Sequence, residues 1–169
     1  MKQKFSATYI YLASVLALAL DQFAKLIAIK KIPESGIFLF DFSFLSIKLE
    51  LLKNSALAFG LDLPQTIIFS LTLSIIFILL ILFFKLIKLK AFLTSLFFGI
   101  IIFSAISNLF DRIFHGGVID FISIKFFNWP WPTFNLADAF ITISVIGLIF
   151  GIMGISKTKY QRSNIESQI

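Results

Sequence analysis

Few residues in this chain can do chemistry, and most of them gather in one stretch. Asn108, Asp111 and Arg112 close a long apolar run, Asp120 sits in "GGVIDF", and Asn135 and Asp138 open the next apolar run. Residues three apart share a helical face, so Asn108 lies beside Asp111, and Asn135 beside Asp138. If the two runs are antiparallel neighbours, the end of one and the start of the other meet at one depth. The glycines before Asp120 let the chain turn back toward that point. Asp138 and Asp111 each have a modest explanation. Asn135 can cap a helix with Asp138 in its first turn, and Asp111 can pair with Arg112 or Lys25. Neither accounts for Asp120, an acid flanked by apolar residues. Burial and a second carboxylate both raise a carboxyl pKa. Two such acids sharing a proton can activate water and protonate a leaving group. Asp120 with Asp138 is therefore the candidate catalytic pair.

The elements that position these groups are membrane elements. Hydrophobic residues make up 59% of the 169-residue chain and charged residues only 14%, against about a quarter charged in a soluble domain. Four runs, about 5–29, 63–84, 91–112 and 134–155, each hold the ~20 residues that a membrane-spanning helix needs. Helices are expected because every backbone polar group within the bilayer must be paired internally. Lys2 and Lys4, then Lys85, Lys88 and Lys90, then Lys157, Lys159 and Arg162 fall on one side of a four-span arrangement. That side is expected to be cytoplasmic, with both termini on it. The basic head and apolar middle of residues 1–20 look like a cleavable leader. The apolar stretch continues past Asp21 through "FAKLIAI", so it is read as a retained first span.

The connection after the first span alternates in period two ("FDFSF", "IKLEL"), which predicts a small outer sheet over about 36–60. The other outer connection carries "NWPWP", whose tryptophans suit the headgroup level. Asp21 and Lys25, four apart, are expected to form a structural ion pair. Gly147 and Gly151 are read as a mark of close helix packing rather than dimerisation. The formal net charge of +6 is scattered along the chain and does not build a nucleic-acid surface. With no cysteine and one histidine, thiolate chemistry and multi-histidine metal sites are excluded.

Five motifs occur in order: "DQFAK" (Asp21 to Lys25), "NSALAFG" (Asn54 to Gly60), "NLFDR" (Asn108 to Arg112), "GGVIDF" (Gly116 to Phe121) and "FNLAD" (Phe134 to Asp138). Together they resemble type II signal peptidase, the lipoprotein signal peptidase of bacteria. The resemblance implies a four-transmembrane-helix bundle with a small extracytoplasmic sheet between helices 1 and 2. It implies an aspartic endopeptidase of the inner membrane, acting near its periplasmic face, that cuts diacylglyceryl-modified prolipoproteins just before the lipidated cysteine. Asp120 and Asp138 match its catalytic aspartates. Asn54 and Arg112 match residues that contact ligand, and both are expected to hold the substrate backbone. Asp21, Lys25, Asn108, Asp111 and Asn135 match supporting residues, with Asp111 expected to orient Arg112 and Asn108. No cofactor or metal is expected, and the partners are prolipoproteins and membrane lipids, with a monomeric enzyme. Ala56, Leu57 and Ser107 depart from the family pattern and are expected to add bulk near the binding groove. Which aspartate starts protonated stays open, because such a pair titrates jointly.

Three other classes compete, the blandest being a structural membrane protein, to which the G-x-x-x-G spacing of Gly147 and Gly151 would belong. A small proton-coupled transporter also uses membrane acids, but it wants them near the midplane of several helices, and the centres of spans two to four are apolar. A divalent-metal transferase wants closely spaced aspartates such as D-x-x-D, and none occurs.

Overall fold

The computed structural model describes residues 7–56 and 63–166, with side chains as far as residue 151. In chain order the elements are α1 (Ala7–Lys31), β1 (Ile37–Phe42), β2 (Leu45–Asn54), α2 (Gln65–Lys88), α3 (Phe92–His115), β3 (Val118–Phe126), β4 (Trp129–Pro130) and α4 (Leu136–Glu166). The molecule is mainly helical. Helices α1, α2 and α3 are long and apolar enough to cross a membrane, while the apolar part of α4 among the described residues, Leu136–Gly151, is shorter.

Helix α1 shows how the bundle is written. Its buried residues are Ile10, Ser14, Ala17, Asp21, Lys25 and Ala28, one stripe at spacings of three and four. Apart from Ile10, the stripe is made of small side chains except where it carries charge. It packs chiefly on α3, whose buried face includes Ser95, Gly99, Ser104 and Ser107. Without water to drive helices together in lipid, small residues let backbones approach and gain dispersion contact. Gly99 marks the approach, since a Cβ there would run into the Ser14 hydroxyl. Helix α2 buries only Ile68, Ile76 and Phe83 and is apolar on every side. Phe83 and Ile76 join Ile10, Ile102 and Leu109 in the core, while Leu12, Leu16, Phe77 and Ile81 point outward and are more than half exposed.

Gly147 lets α4 lie close on α3, because a Cβ at that position would clash with the outer edge of the Phe97 ring. Gly151 has no such neighbour within 4 Å among the described residues. Gly147→Ala should therefore destabilise the protein by about 1–3 kcal/mol, the usual result of overpacking, read as a fall in the thermal midpoint in detergent. An unchanged midpoint would show that α3 and α4 are not locked here.

The sheet departs from the sequence expectation. The alternating pattern puts it between the first two helices alone, yet it has four antiparallel strands in the order β1-β2-β3-β4, and β3 and β4 come from the α3–α4 connection. The reason lies in "VIDFISIKF". Residues 118–121 are buried on both faces, so the strand begins as an apolar run without clean alternation. Gly116 makes the junction possible. It takes the left-handed conformation (φ 69°) that ends α3, and its N–H closes on Arg112 O at 3.2 Å. At Gly117 a Cβ would crowd Lys53 Cγ and the Asn54 carbonyl at 3.0 and 3.1 Å, so the absent side chain eases the close approach of β3 to β2.

The register contains one decisive irregularity. Leu49 pairs with Ile122 but Leu52 pairs with Asp120, so β2 carries one extra residue between them. Side chains alternate faces along a strand, and a shift of one residue exchanges them. Without the extra residue Lys53 would share the face of Asp120; with it, Asn54 does.

Candidate active site

The candidate residues converge where α1, α3, α4, β2 and β3 meet. Asp120 is 1% exposed on β3. Its Oδ2 accepts from Asn54 Nδ2 at 3.1 Å and its Oδ1 from Asn135 Nδ2 at 2.7 Å. Asp138 lies in the first turn of α4, where its Oδ1 accepts from Asn108 Nδ2 at 2.9 Å. The capping expected at this helix start is present in reciprocal form. Asn135 Oδ1 accepts from the Asp138 N–H at 3.0 Å, and Asp138 Oδ2 accepts from the Asn135 N–H at 3.3 Å. Capping and exposure to the cleft therefore coexist at Asp138. Both acids are held by neutral amides, and neither forms a direct ion pair among the described residues.

The direct ion pairs of this region lie in a buried layer behind them. Lys25, 2% exposed, places its Nζ 2.6 Å from Asp21 Oδ2 and 2.7 Å from Asp111 Oδ2, and donates to Asn108 Oδ1 at 2.8 Å. An ammonium has three donors, so these three acceptors satisfy it. Asp21 is an interior group with 0% exposure, and its Oδ1 accepts from the Ala137 N–H at 2.8 Å. Asp111 also accepts from the Ile119 N–H at 3.1 Å, which ties α3 to β3. Of the two partners considered for Asp111, Lys25 is the observed one. Asp111 orients Asn108 only through Lys25, and its carboxylate is taken up without Arg112.

Arg112 turns the other way. Its Nη2 donates to the Ala56 carbonyl at 3.1 Å, and its Nε is buried without a partner among the described residues. Asn54 has little left to offer a ligand. Its amide group donates to Asp120, and its Oδ1 accepts from the Ala56 N–H at 3.1 Å. Asn54 and Arg112 thus both fix the chain at Ala56. Leu57 lies outside the described residues. Ser107 does not line the groove: it is fully buried between α1 and α3, bonded to Asp21. Spacing overlooked Gln22, whose amide reaches Ser107 and Asp111; its place in "DQFAK" was the available signal.

Asn54, Asn108, Arg112, Asp120 and Asp138 border a cleft of about 320 Å³, with Trp131 and Phe134 on its rim. A larger concavity, about 560 Å³, lies on the sheet between Lys48 and Lys125. It holds none of the converging residues, so the smaller cleft is the site. Burial pushes the Asp120 carboxyl up to about 6; the amides of Asn54 and Asn135 oppose the rise and the nearby Asp138 adds to it. Four carboxylates (Asp21, Asp111, Asp120, Asp138) face two cations (Lys25, Arg112) across this region. With every group ionised, two negative charges would be left over in a desolvated place. That excess favours keeping a proton in the site.

The sequence model of the family described as Signal peptidase (SPase) II matches residues 13–154. The chain is 35% identical over 152 residues to the lipoprotein signal peptidase of Chlamydia muridarum, covering 82% of this chain and 87% of that protein. It is 34% identical over 152 residues to the lipoprotein signal peptidase of Chlorobium phaeobacteroides, covering 82% and 92%. A bacterial membrane enzyme solved by the in meso method superposes with a TM-score of 0.76 at 24% identity, over 94% of this chain and 96% of that one, and shares the fold.

Proposed function

From the premise that the chain belongs to the signal peptidase II family, we propose that it is an aspartic endopeptidase. It releases the signal peptide of diacylglyceryl-modified prolipoproteins just before the lipidated cysteine. The family makes it a protease of lipoprotein processing and a bacterial multi-pass membrane protein. The aspartic chemistry rests chiefly on one observation: Asp120 and Asp138 border one cleft, each held by asparagine amides and neither neutralised by a direct cation.

The geometry supports the following steps. One aspartate of the pair is ionised and takes a proton from water, and the water oxygen attacks the scissile carbonyl carbon. The other, protonated, donates a hydrogen bond to the carbonyl oxygen as negative charge develops there. A proton passes to the amide nitrogen, the C–N bond breaks, and the products are the signal peptide's carboxyl group and a new amine on the lipidated cysteine. Asn54, Asn108 and Asn135 aim the two carboxyl groups without supplying charge that would fix both as anions. Arg112 borders the cleft, where its guanidinium can donate to a substrate carbonyl that has lost its water.

Helix α4 is read as the fourth span. With the basic segments cytoplasmic, the cleft then lies near the periplasmic side, where a signal helix in the bilayer reaches it laterally. The enzyme acts as a monomer and needs no metal. Cleavage of a purified diacylglyceryl-modified prolipoprotein, seen as a gel shift and unaffected by chelators, tests the proposal. Absence of cleavage by folded protein would defeat it, and chelator sensitivity would defeat its aspartic chemistry.

Asn54 and Arg112 separate in their expected effects. Arg112→Lys should weaken binding of a lipobox peptide about tenfold, because lysine lacks the planar fork that spans Ala56 and the cleft. Asn54→Ala should instead lower turnover with little change in affinity, since Asn54 holds Asp120. Equal affinity in wild type and Arg112→Lys would remove Arg112 from binding.

A further inference from the structure

Ser107 behaves unlike six other helical hydroxyls of this protein. Ser14, Ser70, Thr72, Ser74, Ser95 and Thr142 each donate to the carbonyl four residues earlier, at 2.7 or 2.8 Å. That is the default for a hydroxyl inside a helix. Ser107, fully buried, instead reaches across to α1 and donates to Asp21 Oδ2 at 2.7 Å. Something has to turn the hydroxyl that way, and Gln22 does. Its Nε2, with two hydrogens for three acceptors, lies 2.9 Å from Ser107 Oγ, 2.9 Å from Asp111 Oδ1 and 3.2 Å from the Ser107 carbonyl, so one hydrogen is shared. A hydroxyl that accepts on one side directs its single hydrogen to the other.

The consequence reaches the cleft through one carboxylate. Asp21 Oδ2 takes the hydroxyl of Ser107 and the ammonium of Lys25, while its Oδ1 holds the Ala137 N–H, one residue before Asp138. We propose that Ser107 and Gln22 are positioning residues for catalysis: the Gln22–Ser107 pair fixes the rotation of Asp21, and Asp21 fixes the first turn of α4 that presents Asp138. This rests on the reading that Asp120 and Asp138 carry the hydrolysis. Neither Ser107 nor Gln22 touches the cleft, so their effect should fall on turnover rather than on substrate binding. A small displacement of a reacting group is enough for that.

The experiment is cleavage of the diacylglyceryl-modified prolipoprotein by full-length protein in detergent, with kcat, KM and the thermal midpoint measured for each variant. Ser107→Ala and Gln22→Met should each lower kcat about tenfold, equivalent to about 1.4 kcal/mol, with KM within about twofold of wild type. The double variant should lose little more than either single one, because both act along one path. Ser107→Thr, which keeps the hydroxyl, should regain most of the turnover. A folded Ser107→Ala or Gln22→Met with wild-type kcat would overturn the proposal, as would a loss confined to KM. So would a Ser107→Thr no better than Ser107→Ala. If only Gln22→Met folds, its kcat decides; failure of both to fold would show a purely structural pair and overturn it. Asp138→Asn run alongside keeps the two readings apart. Turnover by that variant would remove the underlying reading, whereas a dead Asp138→Asn beside a fully active Ser107→Ala would remove only this one.

Discussion

Asp120→Asn and Asp138→Asn should each cut prolipoprotein cleavage by about a thousandfold or more, in the range that positioned acid–base groups supply. Each substitution keeps the shape and removes the ionisable group. Signal-peptide release against time measures the loss. A variant retaining substantial turnover would exclude its aspartate from the chemistry. A second readout concerns Asp120 alone. Its folded carboxyl titrates at about 6 because burial disfavours the anion, against an ordinary value near 3.8. The folded protein therefore holds a proton between these values that the unfolded chain has released. The stability that Asp120 contributes is fully present below about pH 4 and is lost as pH rises through about 6. Asp120→Asn should remove this part of the pH dependence, flattening the slope of the thermal midpoint over that window whatever its effect on the midpoint itself. An unchanged slope would mean that Asp120 titrates normally in the folded protein.

Lys25→Met should be among the most damaging substitutions for stability. It leaves Asp21 and Asp111 buried at 0% and 2% exposure without the cation that lies 2.6 and 2.7 Å away. Removing one partner of a buried ion pair costs about 3–5 kcal/mol, because the remaining charge is stranded. Turnover should fall too, since Asn108 loses the ammonium that orients it toward Asp138. Asp111→Asn should be milder, as Lys25 keeps Asp21 and the network keeps one full ion pair. The comparison is the thermal midpoint of the three proteins in one detergent, with cleavage measured alongside. A Lys25→Met protein as stable as wild type would show that helix packing, not this charge layer, holds α1 to α3.

Sequence alone determined the membrane character, because an apolar fraction this high with so few charges has no soluble core to fill. It also determined the long helices α1 to α3, whose limits differ from expectation by only a few residues. Charges are costly in lipid, so they occur only where something needs them. For that reason Asp21, Lys25, Asn108, Asp111, Asp120, Asn135 and Asp138 could be singled out. The capping role of Asn135 and Asp138 was equally legible, since it depends on a spacing of three.

Tertiary structure decided the partnerships. Spacing paired Asp21 with Lys25, but only the α1–α3 contact shows one ammonium shared by Asp21, Asp111 and Asn108. The sheet was anticipated from its first hairpin, whereas β3 joined it through long-range pairing that no local pattern encodes. The extra residue between Leu49 and Leu52 is the plainest case. Alternation along β2 says that Lys53 and Asn54 point opposite ways, but not which one meets Asp120. That choice belongs to the register between two strands separated by two helices, and it gives Asp120 a neutral amide where the unshifted register would have offered an ammonium.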